Sequence, residues 1–215
     1  MIDSLLTQQP REHLQSLLAK GFHAAVQAKN LAVQLGPEQQ EQVFIAALLL
    51  HIGEMAFYGV GAELVDEFEA AARESDSQHE ACLEVLGVGF KTISKALAKE
   101  WNMGDLLSLC LNKPSAKVGP EVSAVLIGDA IAQNIDLGID SKSMQKLIAS
   151  VAKYRDCSLQ QAQKLILNNL DEAALVANAF GAEQICHLIP SSRSLIEQNF
   201  DEPNEPAISQ VSESN

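Results

Sequence analysis

Val43-Phe44-Ile45-Ala46-Ala47-Leu48-Leu49-Leu50-His51-Ile52-Gly53-Glu54 contains the most apolar run of the chain, and the run ends on a histidine. Val43 to Leu50 is far too short to span a bilayer, which takes about 20 apolar residues. Val43, Phe44, Ala47, Leu48 and His51 recur at the spacing of a helix with one buried side. Pro37 suits the first turn of that helix, Glu38 complements its positive end, and Gly53 is expected to close it.

Working outward, the same periodicity recurs. Aromatic residues make up only 5%, β-branched alternation is nearly absent, and Ala, Leu, Gln and Glu dominate, so the expected fold class is all-α. Upstream, Leu14, Leu17, Leu18, Ala25, Ala28, Leu31 and Leu35 predict a first helix from Pro10 to about Leu35, ended by Gly36. Downstream, Gly59 and Gly61 precede a short helix over Glu63 to Arg73, and Ser77-x-x-Glu80 reads as a capping box for a helix that stops at Gly87. Phe90, Ile93, Leu97 and Trp101 then form an apolar stripe opposite Lys91, Lys95 and Lys99, which decorate a solvated face.

Gly104-Asp105 starts a short helix that Pro114 ends, with a loop over Lys113 to Pro120. A helix from Pro120 to Leu137 turns Val122, Val125, Leu126, Ala130 and Ile131 inward and stops at Gly138. Ser141 or Ser143 caps a helix through Tyr154, Ser158-x-x-Gln161 opens one through Leu167, and Asp171 to Phe180 forms another. The domain reading is a helical core over residues 1–155, a helical appendage packed on it over 156–190, and a flexible acidic tail over 191–215.

The 215 residues carry a net charge of −13, which repels nucleic acid and anionic membrane surfaces alike. Cys82, Cys110, Cys157 and Cys186 are widely spaced and form no Cys-x-x-Cys pair, as expected of buried thiols in a reducing compartment. Met1-Ile2-Asp3-Ser4 lacks a basic leader, so the expected location is cytoplasmic.

The segment Phe44 to Glu54 resembles the helix and turn of the HD superfamily, where the helix end carries a His-Asp pair followed by Ile-Gly. Glu84-Val85-Leu86-Gly87-Val88-Gly89-Phe90, leading into Ile93 to Met103 with its Trp101, is similar to the HDOD branch. Ile127-Gly128-Asp129-Ala130-Ile131-Ala132 is similar to the late helix that carries the superfamily's last metal-binding aspartate. The three landmarks occur in family order over roughly residues 14–155. They imply a compact multi-helix bundle of HD type with additional C-terminal helices. The family usually has a further helical region ahead of this core, which this chain is expected to lack.

An HD hydrolase holds one or two divalent metals on converging histidines and aspartates. Set against that pattern, His51 persists, but Ile52 stands where the bridging aspartate belongs and Phe90 where a later histidine belongs. Asn112-Lys113-Pro114 replaces an adjacent pair of histidines, and Lys20 falls at the earliest histidine, with His23 one turn away as the other candidate. The surviving pair, His51 and Asp129, supplies fewer than the three protein ligands usual for a catalytic metal. No catalytic, cofactor-binding or functional metal site is therefore expected; His51 and Asp129 read as vestigial, bonded to each other between helices. His13, His79 and His187 are scattered and read as surface or helix-terminal residues.

The resemblance implies a non-enzymatic regulatory or scaffold domain of bacterial signal transduction, acting by protein–protein contact on kinase, receiver or cyclic-dinucleotide enzyme domains. Two other readings stay open. One is a phosphohydrolase with an unorthodox site built from His23, His51, Asp129 and Glu54. The other is a small-molecule sensor in the altered pocket. Partner identity, input signal and oligomeric state are not legible in the sequence.

Overall fold

The computed structural model describes residues 8–60, 62–112 and 118–198, and the regular structure within them is helical. In chain order the helices are α1 (Gln8–Leu31), α2 (Pro37–Leu48), α3 (Ile52–Val60), α4 (Ala62–Glu74), α5 (Gln78–Leu86) and α6 (Phe90–Glu100). They continue as α7 (Asp105–Leu111), α8 (Pro120–Asn134), α9 (Lys142–Arg155), α10 (Leu159–Ala179) and α11 (Ser192–Gln198). Single 3-10 turns extend α1 over Ala32–Gln34 and α8 over Ile135–Leu137, and a longer one occupies Glu183–Leu188. No single helix among the described residues is long and apolar enough to cross a membrane.

α1 is the spine. It packs on α2, α8 and α10, and its small residues let α8 come very close. A Cβ on Gly128 would lie 2.7 Å from the Ala24 carbonyl oxygen and 2.8 Å from the Ala28 nitrogen, so this crossing admits only glycine. Asp129 follows directly and is thereby held at a fixed depth beside α1.

A second close crossing joins α3 to α6. A Cβ on Gly53 would meet the Phe90 carbonyl oxygen at 2.5 Å and the Ser94 nitrogen at 2.6 Å. The Gly53 N–H instead donates to Ser94 Oγ at 3.0 Å. Gly53 therefore lies in the first turn of α3 rather than closing the preceding helix: it is there for contact, not for termination. The expected helix through His51 ends earlier, at Leu48, and His51 sits in the turn joining α2 to α3, a helix that the periodicity did not reveal.

Two hydrophobic clusters result. The larger draws on α1, α2, α6, α7, α8, α9, α10 and α11. The smaller gathers Phe57, Tyr58, Val65, Phe68, Ala81 and Cys82 from α3, α4 and α5. His13 of α1 stacks on Tyr58 with ring centroids 4.7 Å apart, while the Tyr58 hydroxyl donates to Glu69, so the start of α1 is tied to this smaller cluster.

Several expectations are met closely. Ser77 accepts from the Glu80 amide, Ser141 from Met144, and Ser158 with Gln161 completes a reciprocal capping box. Gly87 and Gly138 end their segments at φ 71° and 84°. The loop around Pro114 lies outside the described residues, apart from its margins.

Three expectations are corrected. Trp101 is 59% exposed rather than inward. α6 buries its small residues, Ser94 against α3 and Ala98 in the larger cluster, and leaves Ile93 and Leu97 half-covered, and the chain turns away at Trp101, with Asn102 at φ 49°. The helices expected over Ser158–Leu167 and Asp171–Phe180 are one, α10, because Asn169 is buried and hydrogen-bonded rather than breaking the helix. Residues 192–198 form α11 with Leu195 buried, anchored by Asp171, which accepts from the Ser192 amide and hydroxyl. The rest of the expected tail, 199–215, lies outside the described residues. α10, expected within an appendage, shares the main cluster with α1 and α8 through Ile166, Leu170, Ala173 and Ala177.

Candidate functional site

The turn after α2 and the middle of α8 bring His51 and Asp129 together across 78 positions of chain: His51 Nε2 donates to Asp129 Oδ1 at 2.8 Å. The Gln133 amide, one turn along α8, reaches the same Asp129 oxygen at 3.4 Å. Burial alone pulls the His51 pKa down, but the Asp129 hydrogen bond and charge together with Glu54 outweigh it against an opposing Lys20, and the net direction is upward. The bond ties the α2–α3 turn to α8.

Beside it lies a cavity of about 180 Å³. It is lined by the apolar Leu50, Phe90, Cys110, Leu111 and Leu126 and by the polar His51, Asp129, Glu54, Lys91 and Ser94. Phe90 belongs equally to the smaller cluster, 5.3 Å from the Phe57 ring and 5.4 Å from that of Phe68. Ile52 is half-buried at the start of α3 and is not part of this wall. Burial raises the Cys110 thiol to about 11, which makes it a lining group and not a nucleophile.

His23 does not converge on this pair. It is 1% exposed, and the Gln27 side chain donates to its Nε2 at 2.9 Å, which places the proton of the neutral ring on Nδ1. Burial drives its pKa down to about 3. The nearer α1 group is Lys20, whose charge His51 feels. Its ammonium would also repel a metal ion beside His51.

Sequence reasoning missed what His23 does. Gln27 donates also to the Ile166 carbonyl at 2.9 Å and accepts from Asn169 at 2.8 Å, and Asn169 in turn accepts from Asn30 at 2.8 Å. This polar ladder fastens α10 to α1 inside the core. His23 and Gln27 at i, i+4 within an otherwise small and apolar face, matched by Asn169 on α10, were the available signal.

A protein-family model, the HDOD domain, matches residues 1–113, more than half of the chain. The chain belongs to the HDOD family. No curated protein and no solved structure matches it. The HDOD match covers the His51 turn, Phe90 and Trp101 but stops before α8, so the place of Asp129 in the site rests on its bond to His51. Membership is consistent with an HD-like domain of the signal-transduction class. The divalent metals of catalytic HD proteins do not fit the donors here. Among the described residues no group of three His, Cys, Asp or Glu side chains is placed to hold a metal ion, one imidazole nitrogen is spent on Asp129, and Lys20 is cationic.

Proposed function

We propose that this HDOD chain is a non-enzymatic regulatory or scaffold domain of bacterial signal transduction, acting through contacts with signalling proteins such as kinase, receiver or cyclic-dinucleotide enzyme domains. The observation that supports it is the closed His51–Asp129 pair. The two groups that a metal would need are bonded to each other, and the neighbouring ligand positions carry Ile52, Phe90 and Lys20. An HD-type reaction needs water activated by a cation, and this donor set offers it too few ligands.

The test is metal analysis of purified protein after incubation with Mn²⁺, Fe²⁺ or Mg²⁺, together with turnover assays on phosphomonoesters and cyclic nucleotides. The expected result is no stoichiometric metal and no turnover. Bound metal, with turnover abolished in His51→Ala, would establish the phosphohydrolase reading instead. The cavity beside the pair supports a second reading, a small-molecule sensor, because Phe90 leaves about 180 Å³ open. A thermal-shift screen with nucleotides and small metabolites, repeated on Leu126→Trp to fill the cavity, separates the two.

A further inference from the structure

Two polar residues of α6 line the cavity beside the His51–Asp129 pair and carry hydrogens that the fold does not use. Ser94 is only 2% exposed. Its oxygen accepts from the Gly53 N–H at 3.0 Å, but its own hydroxyl hydrogen has no acceptor among the described residues. Ser108, Ser123 and Ser150, on α7, α8 and α9, instead return theirs to the carbonyl four residues back. Lys91 precedes Ser94 by three residues, so the two are neighbours on the helix surface, and Lys91 makes no ion pair among the described residues.

The carboxylates that share this lining are already engaged. Asp129 Oδ1 takes His51 at 2.8 Å and Gln133 at 3.4 Å, and Glu54 Oε1 takes Gln78 at 2.9 Å. The cavity therefore offers a buried hydroxyl donor with a cation beside it, against apolar surface from Leu50, Phe90, Leu111 and Leu126. A buried donor without an acceptor is costly, and a molecule that brings an oxygen to it recovers that cost. The space sets the size: it is about 180 Å³, and an apolar cavity of about 150 Å³ admits benzene.

We propose that this cavity binds a small carbonyl compound, an acid or an amide with an apolar body the size of a single ring, whose oxygen accepts from Ser94 and Lys91. This rests on the sensor reading of the same cavity and names its ligand class. Burial of the ring against the leucines and Phe90 drives binding, and the Ser94 hydroxyl selects the carbonyl. Lys91 favours the acid, whereas the second oxygens of Asp129 and Glu54 favour the amide, whose N–H groups they can accept.

The probes are benzoate and benzamide, with toluene and benzylamine as ring-matched controls, titrated into the purified chain by calorimetry. Saturable binding of a carbonyl probe with a Kd at or below about 1 mM is expected. Toluene and benzylamine should each bind about tenfold more weakly, because neither brings an oxygen to the hydroxyl. Leu126→Trp, which fills the space, should abolish binding. Lys91→Met keeps the stem and removes the charge at an exposed position, and should weaken benzoate about fivefold and benzamide less than about twofold. Ser94→Ala should weaken both about tenfold. If that variant fails to fold because Gly53 loses its acceptor, the difference between toluene and benzamide decides. Toluene or benzylamine binding as tightly as the carbonyl probes overturns the proposal, as does carbonyl binding unchanged in Leu126→Trp, or no saturable binding of either carbonyl probe. In that last case a hit of another class in the metabolite screen, lost in Leu126→Trp, would leave the sensor reading standing, and no hit of any class would end both.

Discussion

The fold shifts the titration of His23 and His51 in opposite directions. His23 is walled in by apolar neighbours and accepts from Gln27, so the native state holds it neutral, with a pKa of about 3 against 6.5 for the free side chain. The unfolded chain takes up that proton below about pH 6.5 and the native state does not, so His23 costs stability progressively as pH falls from 6.5 towards 3. His51 has its native pKa raised, so its stabilisation is complete below 6.5 and is lost as pH rises through the native value. Urea unfolding of the wild type across pH should therefore show an acid limb whose slope includes close to one proton from His23. In His23→Gln that contribution should vanish, whatever the change in absolute stability. His51→Gln should instead flatten the descent that begins above pH 6.5 and leave the acid limb in place. An acid limb unchanged in His23→Gln would mean that His23 is not buried as described.

At the scale of helices, the sequence was most legible where one local device sets a boundary, and least where a distant contact does. Ser77, Ser141 and Ser158 announced their helices because a hydroxyl satisfying an amide three residues on is a local event. Gly53, and the split of α10 between Leu167 and Asp171, misled for one shared reason. A glycine and an asparagine usually interrupt helices, but here Gly53 makes room for α6, and Asn169 is paid for by Gln27 and Asn30 on another helix. Similarly, Trp101 read as core because its spacing continued the stripe, although the helix stops before its side chain can turn inward. The His51–Asp129 pair was legible only through the family pattern, since nothing local joins residues 78 positions apart. The α1–α10 ladder can be weighed directly. Gln27→Ala strips partners from His23, the Ile166 carbonyl and Asn169, and should cost about 2–4 kcal/mol in chemical denaturation. In a double-mutant cycle with Asn169→Ala, a coupling of about 1–2 kcal/mol is expected. Coupling near zero would reduce the ladder to ordinary packing.

Over the whole molecule, the two clusters divide labour unequally. The larger is fed by eight helices, α1 among them, whereas the smaller has six buried members, and α4 within it packs chiefly on α5 and α3. A small core under exposed helices has less apolar area to lose on opening, so α4 and α5 should open as a unit below the free energy of global unfolding. α3 lies on the boundary. It carries Glu54, which accepts from Gln78 at the head of α5, and its first turn follows directly on His51. Through that hydrogen bond a displacement of α5 is expected to reach Glu54 at the His51–Asp129 site without unfolding α1 or α8. Native-state hydrogen exchange checks this. Amides of α4 and α5 should exchange together, with α1, α8 and α10 slowest and α3 between them, and Gln78→Ala should lower protection in α5 more than in α8. Uniform protection across all of these helices would show one cooperative unit, leaving no separable element to couple a partner to the site.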